Sequence, residues 1–189
     1  MPSFRAAIAC IAAVALSACA ALERAPYPRA AIYYDQRAFA DSIHHDVPAV
    51  TGEIVQHGRC VMYVTTPDTN IGDGAYCVYA ITKDGIHAAS WDAVAGKYQL
   101  IKTVRFDEAQ QVTLTTFGRA RQVQFIEGTR LIAFEFVTRE GVGLAKDDGD
   151  KAFAYARRMG VKDGPSLRGI VFPRAVVSTT FLVPTQSPK

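Results

Sequence analysis

The chain has 189 residues, a length that suits one domain and is short for two. It carries 21 Lys and Arg against 18 Asp and Glu, a formal charge of +3. That balance argues against binding nucleic acid through bulk charge and against an acidic disordered tail. The apolar content of 49% fits an ordinary globular chain, and the only stretch apolar enough to enter a membrane lies at the N-terminus.

The first residues have the layout of an export signal. Arg5 supplies positive charge, and an unbroken apolar run of 11 residues follows from Ala6 to Leu16. At about 1.5 Å per helical residue, the run spans roughly half of a bilayer core. It is therefore too short for a transmembrane helix and is typical of a signal sequence.

The run ends in the tetrad Leu16-Ser17-Ala18-Cys19. This tetrad resembles the lipobox of bacterial lipoproteins, in which an aliphatic residue and two small residues precede an invariant cysteine. In that family the signal is cleaved just before the cysteine, and the cysteine thiol carries the lipid. The resemblance therefore implies that Cys19 is the lipidation site. Apart from that covalent lipid, we expect no cofactor.

The same resemblance divides the N-terminal part of the chain and indicates a location. It implies a signal peptide over residues 1–18 and a lipidated tether over residues 19–29, which includes two prolines. In the enterobacterial members of that family an Asp after the cysteine retains the protein in the inner membrane, whereas this chain has Ala20, which implies the outer membrane of a two-membrane bacterium. The expected location is the outer membrane, with the protein lipid-anchored and facing the periplasm.

After the tether, the apolar spacing predicts one helix. Ile32, Phe39 and Ile43 recur at helical intervals, which favours an amphipathic helix over residues 30–44, before Pro48. From Thr51 the period changes to two. Short segments rich in β-branched and aromatic residues then alternate with turn signals, which predicts seven or eight strands between residues 51 and 137.

A second helix is predicted over residues 148–159. Its acidic start, its basic end and the Gly160 that follows suit the helix dipole and a C-cap. Phe153, Ala156 and Met159 form an apolar stripe, which we expect to face inward and to cover one open end of the β structure.

The C-terminal part completes a single domain over residues 30–189, with a last extended segment predicted over residues 169–183. A β block followed by one helix indicates a mainly β (α+β) fold: an antiparallel barrel or sandwich of about seven to eight strands with a C-terminal helix. Over residues 51–160 this order resembles the pleckstrin-homology-like fold, a bent seven-stranded antiparallel barrel closed at one end by a helix. A lipocalin-like or other small β-barrel is the alternative.

Two cysteines remain after processing, because Cys10 leaves with the signal and Cys19 carries lipid. In an oxidising periplasm the remaining pair, Cys60 and Cys77, is predicted to form a disulfide. The bond would close a loop of about 18 residues and stabilise the fold by ~3 kcal/mol. Two free buried thiols are the alternative.

The expected register of the hairpin opposes this bond. A turn centred on residues 67–74 places Cys77 opposite Val64, about four residues from Cys60, which is too far for a disulfide. The bond therefore requires a turn centred near Asp68-Thr69, a bulge at Gly58-Arg59, or contact between strands that are not hairpin partners.

The sequence carries no complete catalytic signature. His57-Gly58-Arg59-Cys60 is similar to the His-Gly-Cys core of L,D-transpeptidases, but it has an inserted Arg59 and lacks the preceding Ser. We therefore predict no catalytic residues. An envelope enzyme that uses His57 and Cys60 is kept as an alternative function.

The possible metal and ligand motifs have simpler interpretations. His44-His45-Asp46 reads as a polar helix end, because adjacent helical side chains diverge by about 100°. The loop over residues 68–74 has Gly72 where a calcium loop needs a ligand, so no metal is expected. The remaining candidates for a ligand surface are aromatic side chains that we expect in the core instead: Tyr79, Trp91 and Tyr98.

These observations predict a non-catalytic, lipid-anchored envelope protein that acts as a binding or structural module facing the periplasm. Its expected partners are the membrane, through the lipid, and an envelope protein or cell-wall component, with no nucleic acid. A carrier of a small apolar ligand in a barrel interior is the other alternative.

Overall fold

The computed structural model describes residues 33–118, 120–138 and 143–171. Within these ranges the elements follow one another as a short helix, seven strands and a second helix. Their bounds are α1 Phe39–Asp46, β1 Gln56–Thr65, β2 Asp73–Ile81, β3 Gly85–Asp92, β4 Lys97–Arg105, β5 Gln111–Phe117, β6 Ala120–Glu127, β7 Arg130–Val137 and α2 Lys146–Arg158.

The seven strands form one antiparallel sheet in the order β4-β3-β2-β1-β7-β6-β5. This confirms the predicted mainly β fold with a C-terminal helix. β4 and β5 stand at the two edges and do not pair with each other, so the sheet is not a closed barrel. An ion pair between Lys102 in β4 and Glu127 at the end of β6 links the two halves of the sheet.

The helix α2 covers one face of the sheet, which we call the inner face. This face contains Tyr79 of β2 and Phe134 and Phe136 of β7, all of them buried. The residues of α2 that reach it are small: Gly149, Ala152 and Ala156 are buried.

The predicted inward stripe of α2 is wrong in part. Ala156 is buried as expected, but Phe153 and Met159 are only partly buried at the margin of the core. The physical reason is close packing, since small side chains let the helix axis approach the sheet and fill the contact themselves. The large apolar residues are then left at the sides of the contact.

The helix α1 packs on the opposite, outer face of the sheet. Its buried residues Phe39 and Ile43 are those that the apolar spacing indicated, but the helix begins at Phe39 instead of residue 30. The ring centroid of Phe39 lies 5.3 Å from that of Tyr98 in β4. Asp46, at the end of α1, accepts a hydrogen bond of 2.9 Å from the backbone N–H of Tyr98. α1 therefore protects part of the edge strand β4.

The chain after α2 crosses the outer face of β5 and β6. We call residues 165–171 the strap. Thr113 and Thr115 of β5 donate hydrogen bonds to the carbonyls of Pro165 and Leu167, at 3.0 and 3.1 Å. Only the first three residues of the strand predicted over 169–183 are described, and Val171 forms a single parallel bridge with Ile71.

Candidate functional site

The two cysteines of the domain lie side by side. Cys60 of β1 and Cys77 of β2 are direct partners in the antiparallel register. This register centres the turn between Asp68 and Thr69, which is one of the three arrangements that allow the disulfide. The expected pairing of Cys77 with Val64 is wrong, because Val64 pairs with Asp73 instead.

The structure holds both cysteines as free, buried thiols, with their Sγ atoms 2.8 Å apart. Directly opposed residues of an antiparallel pair have Cα atoms about 4.5–5.5 Å apart, inside the range that a disulfide bridges. Burial, together with the neighbouring Cys77 thiol, raises the pKa of Cys60 well above its ordinary value. As long as the pair stays reduced, Cys60 is a protonated and inaccessible thiol with little nucleophilic character.

His57 and Cys60 do not form a catalytic pair. They are three residues apart on the same strand, so their side chains point to opposite faces of the sheet. Cys60 lies in the inner core, whereas His57 packs against α1 on the outer face, with its ring centroid 5.1 Å from that of Phe39. His57 therefore cannot act as the base that a cysteine nucleophile requires.

His57 belongs to a structural cluster on the outer face. Its Nδ1 is hydrogen-bonded to the hydroxyl of Tyr34 at 2.9 Å. The guanidinium of Arg59 lies over the Tyr34 ring, 5.5 Å from its centroid. The cluster fastens the chain segment before α1 to β1, which is a packing role.

The three polar residues at the end of α1 do not converge on one point: His44 bonds to the backbone, and His45 and Asp46 bond to each other. His44 Nε2 donates to the carbonyl of Gly52 at 2.9 Å, and His45 Nδ1 donates to Asp46 at 2.9 Å. Burial acts to raise the pKa of Asp46, but the hydrogen bonds from His45 and from the Tyr98 backbone lower it overall. Among the residues that the structure describes, no group of three or more His, Cys, Asp or Glu side chains could hold a metal ion.

The loop after β1 is closed by its own hydrogen bonds. Asp68 accepts a bond from the hydroxyl of Thr66, and Thr65 Oγ1 donates to the carbonyl of Ile71 at 2.7 Å. At Gly72 a Cβ would meet the carbonyl oxygen of Val64 at 2.9 Å, so the loop folds back tightly on β1. The loop is a turn whose polar groups serve its own backbone.

The three aromatic residues considered as a ligand surface do not share a face. Tyr79 is buried on the inner face, where its ring meets Phe136 edge-on at 4.6 Å. Trp91 and Tyr98 lie together on the outer face, with centroids 4.9 Å apart. Tyr79 and Tyr98 are core residues as expected, whereas Trp91 is only partly buried.

The sequence analysis missed a polar groove beneath the strap. Gln122 of β6 accepts from the N–H of Ile170 and donates to its carbonyl, both at 2.8 Å. Gln124 donates to the carbonyl of Arg168 at 2.9 Å. Both glutamines are almost fully buried, at 0% and 1% exposure. Polar residues at alternate positions of two adjacent strands were the signal, but this pattern is also typical of a solvated face.

The side chains of the groove bind mainly to backbone atoms of the strap. Ile170 adds an apolar anchor, because it packs with Val61, Tyr63, Leu131 and Ala133 in a second hydrophobic cluster. The outer face of β5, β6 and β7 therefore holds an extended segment by side chain to backbone hydrogen bonds and one buried side chain.

The predicted lipidation site and tether lie outside the described residues, as does the signal peptide. Of the two helices in the described part, neither is long and apolar enough to cross a membrane.

Comparison with known proteins identifies no family. No family model matches the chain, and no curated protein matches it. Among solved structures, the chain is similar to the hSac2 domain from human phosphoinositide phosphatase Sac2. The identity is 9%, the match covers 75% of this chain and 92% of that one, and the TM-score is 0.38.

Proposed function

We propose that the protein is a non-catalytic, lipid-anchored module of the bacterial cell envelope, held on the periplasmic face of the outer membrane through Cys19. The observation that carries the proposal is the tetrad Leu16-Ser17-Ala18-Cys19 at the end of an 11-residue apolar run. Dual or triple acylation gives effectively permanent attachment to a membrane. The domain would then act through an envelope protein or a cell-wall component within reach of that surface.

The arrangement of the cysteines supports a module without a nucleophile. Cys60 is buried and faces Cys77, and His57 lies on the other side of the sheet. An enzyme that used His57 and Cys60 would need the two side chains within hydrogen-bond reach, with the thiol accessible to substrate. The geometry disfavours that alternative.

The packing on the inner face of the sheet disfavours the alternative function, a carrier of a small apolar ligand. The inner face is filled by core side chains, and the ring centroids of Phe125 and Phe134 are 6.2 Å apart. A surface hollow of about 410 Å³ lies between the start of β1 and α2, but charged residues line it, among them Asp148, Lys151 and Arg158. An apolar ligand would gain little from such a site.

The proposal is tested by fractionating cell envelopes that contain either the wild-type protein or Cys19→Ala. The wild-type protein is expected in the outer membrane fraction, released by detergent and not by high salt. Cys19→Ala is expected to lose that distribution, because no thiol remains for the lipid. Equal fractionation of the two forms would contradict the anchor.

The binding role is tested by crosslinking in intact cells, followed by capture of the wild-type protein and of Cys19→Ala. A partner of the anchored module is expected to crosslink to the wild-type protein and to be depleted with the variant. A set of crosslinks that is the same for both forms would contradict a partner at the membrane.

A further inference from the structure

One end of the domain carries a group of exposed apolar side chains. Most of these side chains belong to the hairpin of β3 and β4, and Tyr33 packs on it. We call the group the hairpin patch; its members are Tyr33, Trp91, Val94, Leu100 and Ile101. Val94, at the tip, is fully exposed, and Tyr33, Leu100 and Ile101 are 44%, 42% and 38% exposed. Isolated exposed apolar residues are ordinary, but a group of this kind on one hairpin marks a contact surface.

The tip of the hairpin is held rigidly with its apolar groups outward. Asp92 accepts hydrogen bonds from the backbone N–H groups of Val94 and Ala95, each at 2.9 Å, and from the side chain of Gln99 at 2.7 Å. Gly96, at φ +61°, completes the turn. The carboxylate is thus occupied by the turn, and the side chain that projects from the tip is Val94.

The edge of β4 next to the tip is also apolar and irregular. The register with β3 shifts between Ala88 and Ala89, which leaves Ile101 without a partner in β3. A bulge of this kind disturbs an edge strand and opposes pairing with another strand. The exposed Leu100 and Ile101 are therefore better suited to an apolar surface than to extension of the sheet.

Tyr33, which lies just before α1, is packed against the aromatic residues of the β3–β4 hairpin. The rings of Tyr33 and Trp91 have centroids 4.6 Å apart, and the hydroxyl of Tyr98 donates to the carbonyl of Tyr33 at 2.9 Å. Tyr and Trp are the residues that favour the boundary between lipid and water, because each combines an apolar ring with a polar group.

We propose that the hairpin patch lies against the membrane that holds Cys19, with a lipid surface as its partner. This inference rests on the proposed anchor. Cys19 precedes Tyr33 by 14 positions, and a chain of that length reaches at most about 50 Å. Tyr33 packs on Trp91, so the chain that comes from Cys19 joins the domain at this patch. With the domain tethered, even a weak contact between the patch and lipid is effective.

The test uses the acylated full-length protein reconstituted into phosphatidylethanolamine and phosphatidylglycerol vesicles. Trp91 is the only tryptophan of the chain, so its fluorescence reports on the patch alone. Vesicles that also contain phosphatidylcholine brominated near the glycerol end of an acyl chain are expected to quench it at least about twofold, because an interfacial contact brings the ring to that depth.

Two variants make the test specific. Val94→Asp combined with Ile101→Asp, at exposed positions, is expected to abolish most of the quenching while the protein stays on the vesicles. Phe117→Asp is the matched control, since Phe117 is 47% exposed and ends β5 at the other edge of the sheet. The control is expected to be quenched like the wild type.

The possible outcomes distinguish a failure of the proposed membrane contact from a failure of the proposed lipid anchor. Wild-type protein that floats with the vesicles but shows no quenching overturns the membrane contact and leaves the anchor intact. Protein that does not float with the vesicles overturns both. Equal quenching of the wild type and the double Asp variant overturns the assignment to this patch, as do crosslinks between patches of two protein copies in place of quenching.

Discussion

Cys60 and Cys77 face each other directly across β1 and β2, both almost fully buried and with their Sγ atoms 2.8 Å apart. The pair lies in the core on the inner face, where burial and the Cys77 thiol raise the pKa of Cys60. A bond between them would join β1, the longest of the seven strands, to its neighbour β2.

The first prediction is that the pair is oxidised in the mature protein. Protein isolated from the envelope and unfolded without reductant is expected to resist alkylation, and to gain two alkyl groups after reduction. Reduction is expected to lower the free energy of unfolding by ~3 kcal/mol, since the bond closes a loop of about 18 residues. The control is Cys60→Ala with Cys77→Ala, whose stability should not respond to reductant. Alkylation of both thiols in the unreduced, unfolded protein would show that they stay free.

The second prediction concerns the face that α2 presents to the sheet. Ala156→Leu is expected to lower the free energy of unfolding by about 1–3 kcal/mol, because the added atoms have no space between helix and sheet. Phe153→Ala is expected to cost less than the ~3–5 kcal/mol typical of a fully buried phenylalanine. Lys151→Ala, on the exposed side, should stay within about 0.5 kcal/mol. Denaturant unfolding measures all three, and equal effects of Ala156→Leu and Lys151→Ala would place the helix outside the core.

The third prediction concerns the attachment of the strap. Gln122→Ala removes both hydrogen bonds to the backbone of Ile170 and leaves that buried N–H and carbonyl unsatisfied. We expect a loss of about 2–4 kcal/mol in the free energy of unfolding. We also expect faster amide exchange at Ile170, measured by hydrogen exchange. Gln110→Ala, at an exposed position, is the matched control. Unchanged exchange at Ile170 in Gln122→Ala would contradict the role of the groove.

The fourth prediction concerns a buried histidine. His87 Nε2 and Nδ1 lie 3.2 and 3.1 Å from the hydroxyls of Thr82 and Thr103. Burial lowers the pKa of His87, and the charge of Asp84 only partly opposes this. Below pH 6.5 the unfolded chain therefore binds a proton that the folded protein does not. The contribution of neutral His87 to the free energy of unfolding is fully present above pH 6.5. It is lost as the pH falls towards the lowered pKa of His87 in the folded protein.

Denaturant unfolding over a pH series measures this loss. His87→Gln should flatten the dependence below pH 6.5, whereas Gln110→Ala, an exposed change that alters no titratable group, should keep the slope of the wild type. A wild-type slope in His87→Gln would mean that other groups cause the dependence.

The strands and the order of elements could be predicted because both depend on local patterns. Alternating β-branched and aromatic residues between turn signals located seven strands, and the charges at both ends located α2 within two residues. The face of α2 could not be predicted by hydrophobicity alone, because Gly149 and Ala152 reach the core through their small size.

The long-range contacts needed information that the local sequence lacks. The register of β1 and β2 depends on how tightly the loop folds back at Gly72, which shifts Cys77 from Val64 to Cys60. Gln122 and Gln124 have the alternation of a solvated strand, and only the strap that crosses them makes them buried. The apolar exposure of the hairpin tip depends on the hydrogen bonds that Asp92 accepts from the backbone of the turn, which the local sequence does not specify.

The anchor at Cys19 is the central claim, and mass spectrometry of the N-terminal peptide of the mature protein tests it most directly. The account predicts a peptide that begins at Cys19, with its mass increased by the diacylglyceryl group and, where the third chain is added, by an N-acyl group. A mature N-terminus at any other residue, or an unmodified Cys19, would contradict it.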